Sequence, residues 1–168
     1  KQIWGLIRVI KRIILAGTGG YGVKFLGTLL GKVLMLKGFQ VTVTFDYDAA
    51  SRGGDIVSYL VYSDSKIGNP TIDEADILLR FTKTNKHFKC IKRIIDTQIA
   101  NEFEGISFPF SKDAVEKFQD RRVTNMIALG KLLKELEINA SGDELKQIIP
   151  PQFFVKNLEA IRYGFDKS

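Results

Sequence analysis

The feature that most constrains the fold of this chain is a glycine-rich run, GTGGYG, at residues 17–22. The apolar run just before it, RIILA, predicts a short buried strand, and apolar side chains recur at helical spacing from Val23 to Leu34. A glycine turn between a strand and a helix is typical of the first unit of a dinucleotide-binding α/β fold. The four glycines of the loop are Gly17, Gly19, Gly20 and Gly22.

A second strand and four further strand candidates follow. Gly38 ends the first helix, and FQVTVTF after it is β-branched and aromatic. Strand, helix and strand in this order predict a βαβ unit whose two strands are parallel with a right-handed crossover. The other candidates are IVSYLVYS, whose apolar residues at both alternations predict burial on both faces, then ADILLRF, KRIID and GISFPFS.

From residue 111 onward the pattern is helical. Ser111 is predicted to cap a helix over SKDAVEKF, RRVTNMIALGKLLKEL is amphipathic, and Ser141 with Glu144 has capping-box spacing. Pro150 or Pro151 stands near the start of a last helix. The predicted fold is a doubly wound α/β structure, with a mainly parallel sheet, helices on both faces and a helical C-terminal third. We expect residues 1–11 to be an N-terminal tail or extension and residues 12–168 to form one domain.

Composition excludes several function classes. The chain has 168 residues, a net charge of +6 and one cysteine, Cys90, which cannot form an internal disulfide or by itself hold an iron–sulfur cluster or a structural zinc. A lone cysteine fits a reducing compartment, so we expect a cytoplasmic protein. The basic residues are scattered, with no arginine-rich tract, so nucleic acid is not the expected partner. No apolar run is long enough to span a bilayer, because Lys24, Lys32 and Lys37 interrupt the best candidate.

Two interpretations of the glycine loop stay open at this point. Backbone N–H groups at the helix N-terminus would bind a phosphate or carboxylate, whereas a tight turn without a ligand accounts for the same residues. A dinucleotide site also needs an acidic residue near the end of the second strand, where Asp46 and Asp48 stand. Other chemistry is scarce, because His87 lies among lysines and no nucleophile with a matching base is apparent.

The run SRGGD at residues 51–55 is the second candidate site. Arg52 carries a planar guanidinium suited to carboxylate or phosphate, and Gly53 and Gly54 allow backbone conformations closed to other residues. An ordinary loop, with Arg52 solvated or paired to a nearby aspartate, is the alternative. Because this loop leaves the carboxyl end of the second strand, we expect it beside the glycine loop.

These motifs recur together in one known family. The matching stretches are GTGGYGV, Gly38 to Val41, YDAASRGG, Pro70 with Asp76, RVTNMIALG, and Asn157 with Ala160 and Gly164. Over residues 12–165 the chain resembles the gamma subunit, or gamma domain, of 2-oxoacid:ferredoxin oxidoreductases, which act on pyruvate, 2-oxoglutarate and branched or aromatic 2-oxoacids. Two positions depart from the pattern, since Tyr21 replaces the usual glutamine and Ala50 the usual glutamate.

The resemblance implies a function that this chain performs with others. The family couples coenzyme A-dependent oxidative decarboxylation of a 2-oxoacid, or its reversal, to ferredoxin through thiamine diphosphate, Mg and iron–sulfur clusters. This chain lacks the thiamine diphosphate pattern and the cysteines, so the resemblance implies a non-catalytic gamma subunit that binds none of these cofactors alone. Its partners are then the subunits that carry them, with the glycine loop forming a turn or an interface and Arg52, Gly53 and Gly54 facing a partner or coenzyme A.

Two other functions stay open for this chain. A free-standing Rossmann-like dinucleotide-binding oxidoreductase is the second hypothesis, and a basic nucleic-acid-binding module is the third. For a gamma subunit without its partners, uncovered apolar surface predicts self-association of the isolated chain as a homodimer. The sequence does not specify which 2-oxoacid the complex uses.

Overall fold

The computed structural model describes residues 8–48 and 54–167. In these ranges six strands and five α-helices form, joined by turns that include short 3₁₀ segments at 97–99, 121–123 and 151–153. The strands are β1 (Ile10–Thr18), β2 (Gln40–Tyr47), β3 (Asp55–Ser63), β4 (Glu74–Arg80), β5 (Lys89–Asp96) and β6 (Ile106–Phe108). The helices are α1 (Val23–Leu36), α2 (Phe110–Phe118), α3 (Thr124–Glu135), α4 (Gly142–Lys146) and α5 (Phe154–Asp166).

The strands form one sheet in the order β2-β3-β1-β4-β5-β6. β1, β4, β5 and β6 are parallel neighbours, whereas β3 is antiparallel to both β1 and β2. Only β3 therefore runs against the other five described strands, and the predicted mainly parallel α/β sheet is confirmed. The first two strands run in the same direction, as predicted, but they are not neighbours in the sheet. β3 is apolar on both faces, so it is most stable in the interior of the sheet, where it separates β1 from β2.

The helices occupy one face of the sheet. Every buried apolar side chain of the five described α-helices belongs to the larger of two cores, which also contains Ile13 and Leu15 of β1. The smaller core, on the opposite face, contains strand residues such as Ile14 and Leu78 and is covered by Ile72 and Phe88 from loops. The prediction of helices on both faces, and with it a doubly wound arrangement, is therefore wrong. The connections after β3, β4 and β5 are short and contain no α-helix that could cover the second face.

The helical C-terminal third is confirmed, and α3 lies at its centre. Every residue of this helix from Thr124 to Leu133 is buried, because α3 packs against α1, α2 and α5. None of the described helices has the length and apolar character needed to cross a membrane.

Two capping predictions have different outcomes. The capping box is confirmed, since the Glu144 amide donates to the Ser141 hydroxyl at 3.2 Å and the Ser141 amide donates to the Glu144 carboxylate at 2.8 Å. Ser111 is not a cap, because α2 begins one residue earlier. Instead its amide and hydroxyl donate to the side chain of Asp96, at 2.9 and 2.5 Å. Asp96 is fully buried, and a buried carboxylate without donors costs more free energy than an uncapped helix end.

Candidate functional site

The candidate site lies at the carboxyl end of the sheet. Strands β1, β2, β4 and β5 all finish there, and antiparallel β3 begins there, so that Thr18 pairs with Asp55. This pairing brings the glycine loop next to the start of β3. Arg52 and Gly53 lie outside the described residues, and Gly54, at the border of the described range, is half-buried.

Steric requirements explain most glycines of the glycine loop. Gly19 and Gly20 form the turn after β1, and Gly20 and Gly22 have left-handed backbones with φ of 96° and 66°. A Cβ on Gly22 would lie 2.3 Å from the side-chain nitrogen of Asn125, which donates to the Gly22 carbonyl at 3.4 Å. A Cβ on Gly17 would lie 3.1 Å from Val23, where strand and helix meet. These residues are therefore accounted for by the turn and its packing.

Tyr21, at a position where the family usually has glutamine, ties the loop to its surroundings. Its ring stacks on Phe81 with a centroid distance of 5.5 Å, and its hydroxyl accepts a hydrogen bond from Gln98 at 3.0 Å. The same Gln98 amide donates to the Phe81 carbonyl at 2.7 Å, and the Arg121 guanidinium lies 5.7 Å from the tyrosine ring centre. Sequence reasoning missed Phe81, Gln98 and Arg121, because they come from three separate segments and no motif connects them.

A cavity of about 480 Å³ opens beside this cluster, and Tyr21, Gln98, Lys112 and Arg121 line it. The buried Asp96 carboxylate beside it accepts hydrogen bonds from Ser111 and from the backbone amide of Gln98, the latter at 3.2 Å. The exposed polar groups are thus mainly two cations, an amide and a phenol. This set can bind an anionic or polar group through hydrogen bonds and charge. It contains no nucleophile next to a general base, so it is not suited to covalent catalysis.

Segment 81–88, between β4 and β5, contacts the end of β2 and the start of β3. Lys86 forms an ion pair with Asp46, and the Asn85 backbone amide donates to the Asp55 carboxylate at 2.7 Å. Asp46, one of the two aspartates that could bind the ribose in a dinucleotide site, is therefore engaged by a lysine. His87, also in this segment, is exposed, as expected for a surface histidine.

Arg80 anchors this segment from inside the protein. It is 2% exposed, donates to the Thr84 hydroxyl and to the Lys86 carbonyl, the latter at 3.1 Å, and lies over the ring of Phe103 at 4.8 Å. Burial lowers the pKa of Arg80, as does the nearby charge of Arg93. Among the described residues no carboxylate lies within ion-pair distance of it.

An apolar groove of about 480 Å³ lies near the glycine loop. Asn125, which donates to the Gly22 carbonyl, is part of its lining. Its apolar lining is Phe25, Val123, Met126, Phe153 and Val155. At its rim Asp120 accepts hydrogen bonds from Arg122 and Lys156, at 2.9 Å each, and these bonds hold the pKa of Asp120 well below its usual range.

In residues 8–48 and 54–167 no group of three or more His, Cys, Asp and Glu side chains is arranged to hold a metal ion. The residues at the carboxyl end of the sheet therefore fit a contact surface for a partner or a polar ligand better than a metal centre.

Comparison with known proteins decides between the hypotheses. Residues 12–167 match the family of pyruvate ferredoxin/flavodoxin oxidoreductases. The chain belongs to this family. It is 29% identical over 160 residues to the 2-oxoglutarate synthase subunit KorC of Archaeoglobus fulgidus, which covers 92% of this chain and 86% of the relative.

Solved structures of family members share the fold. The gamma subunit of keto/oxoacid ferredoxin oxidoreductase from Geobacter sulfurreducens superposes with a TM-score of 0.76 at 20% identity, over 95% of this chain and 96% of that one. A 2-oxoglutarate:ferredoxin oxidoreductase from Magnetococcus marinus, with 2-oxoglutarate, coenzyme A and succinyl-CoA bound, superposes with a TM-score of 0.73 at 22% identity. It covers 92% of this chain, which corresponds to 30% of that longer chain.

The prediction of a gamma-type subunit of a 2-oxoacid:ferredoxin oxidoreductase is therefore confirmed, and with it the prediction that the chain is one part of an enzyme complex. The alternative of a free-standing dinucleotide-binding enzyme is not favoured. The ion pair between Asp46 and Lys86 agrees with this outcome, because it occupies one of the two carboxylates that could bind the ribose of a dinucleotide.

Proposed function

We propose that this chain is the non-catalytic gamma subunit of a complex that oxidatively decarboxylates 2-oxoglutarate in a coenzyme A-dependent reaction. The relative from Archaeoglobus fulgidus carries the name 2-oxoglutarate synthase and matches nearly the whole chain, which supports this choice among the 2-oxoacids. Thiamine diphosphate, Mg and the iron–sulfur clusters belong, in this proposal, to the partner subunits. One cysteine in the whole sequence cannot ligate a cluster, which requires several thiolates.

The carboxyl end of the sheet is proposed to face the partner subunits or coenzyme A. The observation that supports this proposal is the pairing of Thr18 with Asp55, because it joins the strand end before the glycine loop to the start of β3, next to Gly54. Exposed cations at this end of the sheet, such as Lys112 and Arg121, suit the phosphates of coenzyme A or an acidic patch on a partner, as would the guanidinium of Arg52. Gly17, Gly19, Gly20 and Gly22 then shape this surface through the backbone.

Replacement of Arg52 by Ala tests the proposed role of this end of the sheet. We expect the isolated chain to keep its thermal stability, while the reconstituted complex assembles more weakly or needs more coenzyme A. Arg162→Ala, an exposed arginine on α5, is the matched control and should change neither property. If Arg52→Ala instead lowers the stability of the chain and leaves assembly and the KM for coenzyme A unchanged, Arg52 has only a structural role.

The isolated chain is proposed to self-associate as a homodimer. Phe25, Phe153 and Val155 are 41%, 52% and 69% exposed around the apolar groove, and clustered apolar side chains of this kind mark interaction surfaces. Light scattering across a concentration series checks this proposal, and a strict monomer at high concentration contradicts it. We also propose a cytoplasmic location, on the basis of the single cysteine.

A further inference from the structure

We infer that Arg80 and Lys86 form a clasp that positions the two strand ends from which the loop at 48–54 extends. Arg80 and Lys86 are positioning residues in this proposal, since both act through other groups. The inference rests on the proposed function of that loop and adds to it the residues that hold it in place.

The inner half of the clasp is Arg80. Its guanidinium is buried and donates to Thr84 and to the carbonyl of Lys86, so one side chain fixes two points of segment 81–88. The cation is further held between the rings of Phe88 and Phe103, at 5.6 and 4.8 Å. A buried cation is costly unless its donors are satisfied. Here a hydroxyl and a backbone carbonyl of this one segment accept from the two terminal nitrogens, whereas the buried Nε has no hydrogen-bond partner among the described residues. The segment therefore has a defined conformation despite its lack of regular structure.

The outer half of the clasp consists of contacts from segment 81–88 to both strand ends. The Lys86 ammonium pairs with Asp46 near the end of β2, and the Asn85 amide donates to Asp55 at the start of β3. The Asp48 amide then donates to the Asp55 carbonyl at 2.9 Å, which closes the two strand ends against each other. Arg80 is thus connected to both ends through one short segment.

A polar, half-exposed arrangement of this kind has a specific consequence. Asp46 and Asp55 carry the negative charges at the two strand ends, and the Lys86 ammonium and the Asn85 backbone amide engage them. The clasp therefore fixes both strand ends on either side of the loop for which a partner-facing or coenzyme A-facing role is proposed.

The first test measures the strand ends directly. Amide hydrogen exchange of Asp48 and Asn85 is followed by NMR in the full chain, for the wild type, Lys86→Met and Arg80→Lys. We expect about 2- to 5-fold faster exchange in Lys86→Met, since a half-exposed ion pair is lost, and roughly 10-fold or more in Arg80→Lys, which loses buried hydrogen bonds. Unchanged exchange in both variants overturns the inference.

Lys83→Met is the matched control. Lys83 lies in the same segment but pairs with Glu102 at 2.7 Å, away from the strand ends. The Lys83→Met variant should leave the amide exchange of Asp48 and Asn85 at the wild-type rate. If Lys83→Met accelerates this exchange as much as Lys86→Met does, loss of any lysine in the segment is responsible and the clasp is wrong.

A charge swap keeps the test decisive even where Arg80→Lys folds poorly. Lys86→Asp places like charges opposite each other and should accelerate the exchange. The double variant Asp46→Lys with Lys86→Asp restores an ion pair at this half-exposed position. It should return the exchange rate to within about 2-fold of wild type. Failure of the double variant to restore the rate contradicts a direct pairing.

The second test, in the reconstituted complex, separates this inference from the proposed function. Lys86→Met should change the same parameter as Arg52→Ala, either the assembly affinity or the KM for coenzyme A, by about 2- to 5-fold with kcat unchanged. If Arg52→Ala changes neither parameter, the proposed role of the loop fails while the exchange data still decide the clasp. If Arg52→Ala has its effect and Lys86→Met behaves like Lys83→Met, the clasp fails alone.

Discussion

Gly130 of α3 and Gly164 of α5 each lie directly against the backbone of the opposite helix. A Cβ on Gly130 would be 1.9 Å from the carbonyl oxygen of Ile161, and a Cβ on Gly164 would be 1.9 Å from that of Ile127. The two helices are therefore closer together than any side chain at these positions allows, and this contact holds the C-terminal helix on the domain.

Gly130→Ala is expected to destabilise the chain strongly. Ala favours an isolated helix by about 1 kcal/mol, but a clash with a backbone oxygen at 1.9 Å forces the two packed helices apart, which costs about 2 to 3 kcal/mol or more. We expect a net fall in Tm of roughly 3 to 8 °C, measured by thermal denaturation. Gly68→Ala is the control, because its Cβ meets nothing within 4 Å. Equal Tm values for the two variants would refute the close contact.

Gly22→Ala tests the glycine loop as a structural turn. The left-handed backbone disfavours Ala by about 1 to 2 kcal/mol, and the clash with Asn125 adds to this cost. In the double variant Gly22→Ala with Asn125→Ala the clash is absent, but the backbone strain and the lost hydrogen bond remain. The changes in unfolding free energy, measured with denaturant, should therefore not be additive. The double variant should be more stable than the sum of the two single effects predicts.

Tyr21→Gln restores the residue that is usual in the family and should weaken the isolated chain. It removes the stacking on Phe81, and aromatic pairs of this type contribute about 0.5 to 1.5 kcal/mol beyond their buried area. Tyr21→Phe keeps the stacking and loses only the Gln98 hydrogen bond, so it should be the milder change in urea unfolding. If the two variants are equally stable, the ring contact does not hold the loop.

Asp120 predicts a component of stability that depends on pH. Hydrogen bonds from Arg122 and Lys156 lower its pKa in the folded state, so its stabilising contribution is fully present above the unfolded-state pKa of about 4. The contribution is lost as the pH falls from there through the folded-state pKa. The stability difference between wild type and Asp120→Asn should be largest near neutral pH and shrink below about pH 4. Glu116→Gln, which removes the carboxylate of an exposed pair with Lys112, is the control for the loss of a negative charge.

Local sequence patterns predicted the elements well and their arrangement less well. The strand from Ile10 to Thr18, the helix that follows it and the Ser141 capping box depend on neighbouring residues, so periodicity and capping rules were sufficient. The position of β3 between β1 and β2 depends on which strands bury each other, and no local pattern contains that information. The prediction of helices on both faces failed for the same reason.

The candidate site was predicted in part. The glycine loop lies where β1 ends, beside the start of β3, because strand direction alone determines this end of the sheet. Arg80, Lys86 and Gln98 were missed, since their roles arise from contacts between segments that are distant along the chain. Ser111 was misassigned because the demand of the buried Asp96 for donors is a tertiary effect.

Reconstitution with and without this chain is the most direct test of its role as a gamma subunit. The partner subunits of the complex are purified alone and together with this chain, and the coenzyme A-dependent reduction of an electron acceptor by 2-oxoglutarate is measured alongside assembly. We predict no turnover by this chain alone, stoichiometric assembly with its partners, and full activity only when it is present. Turnover by the chain alone, or a fully assembled and active complex without it, would contradict the assignment.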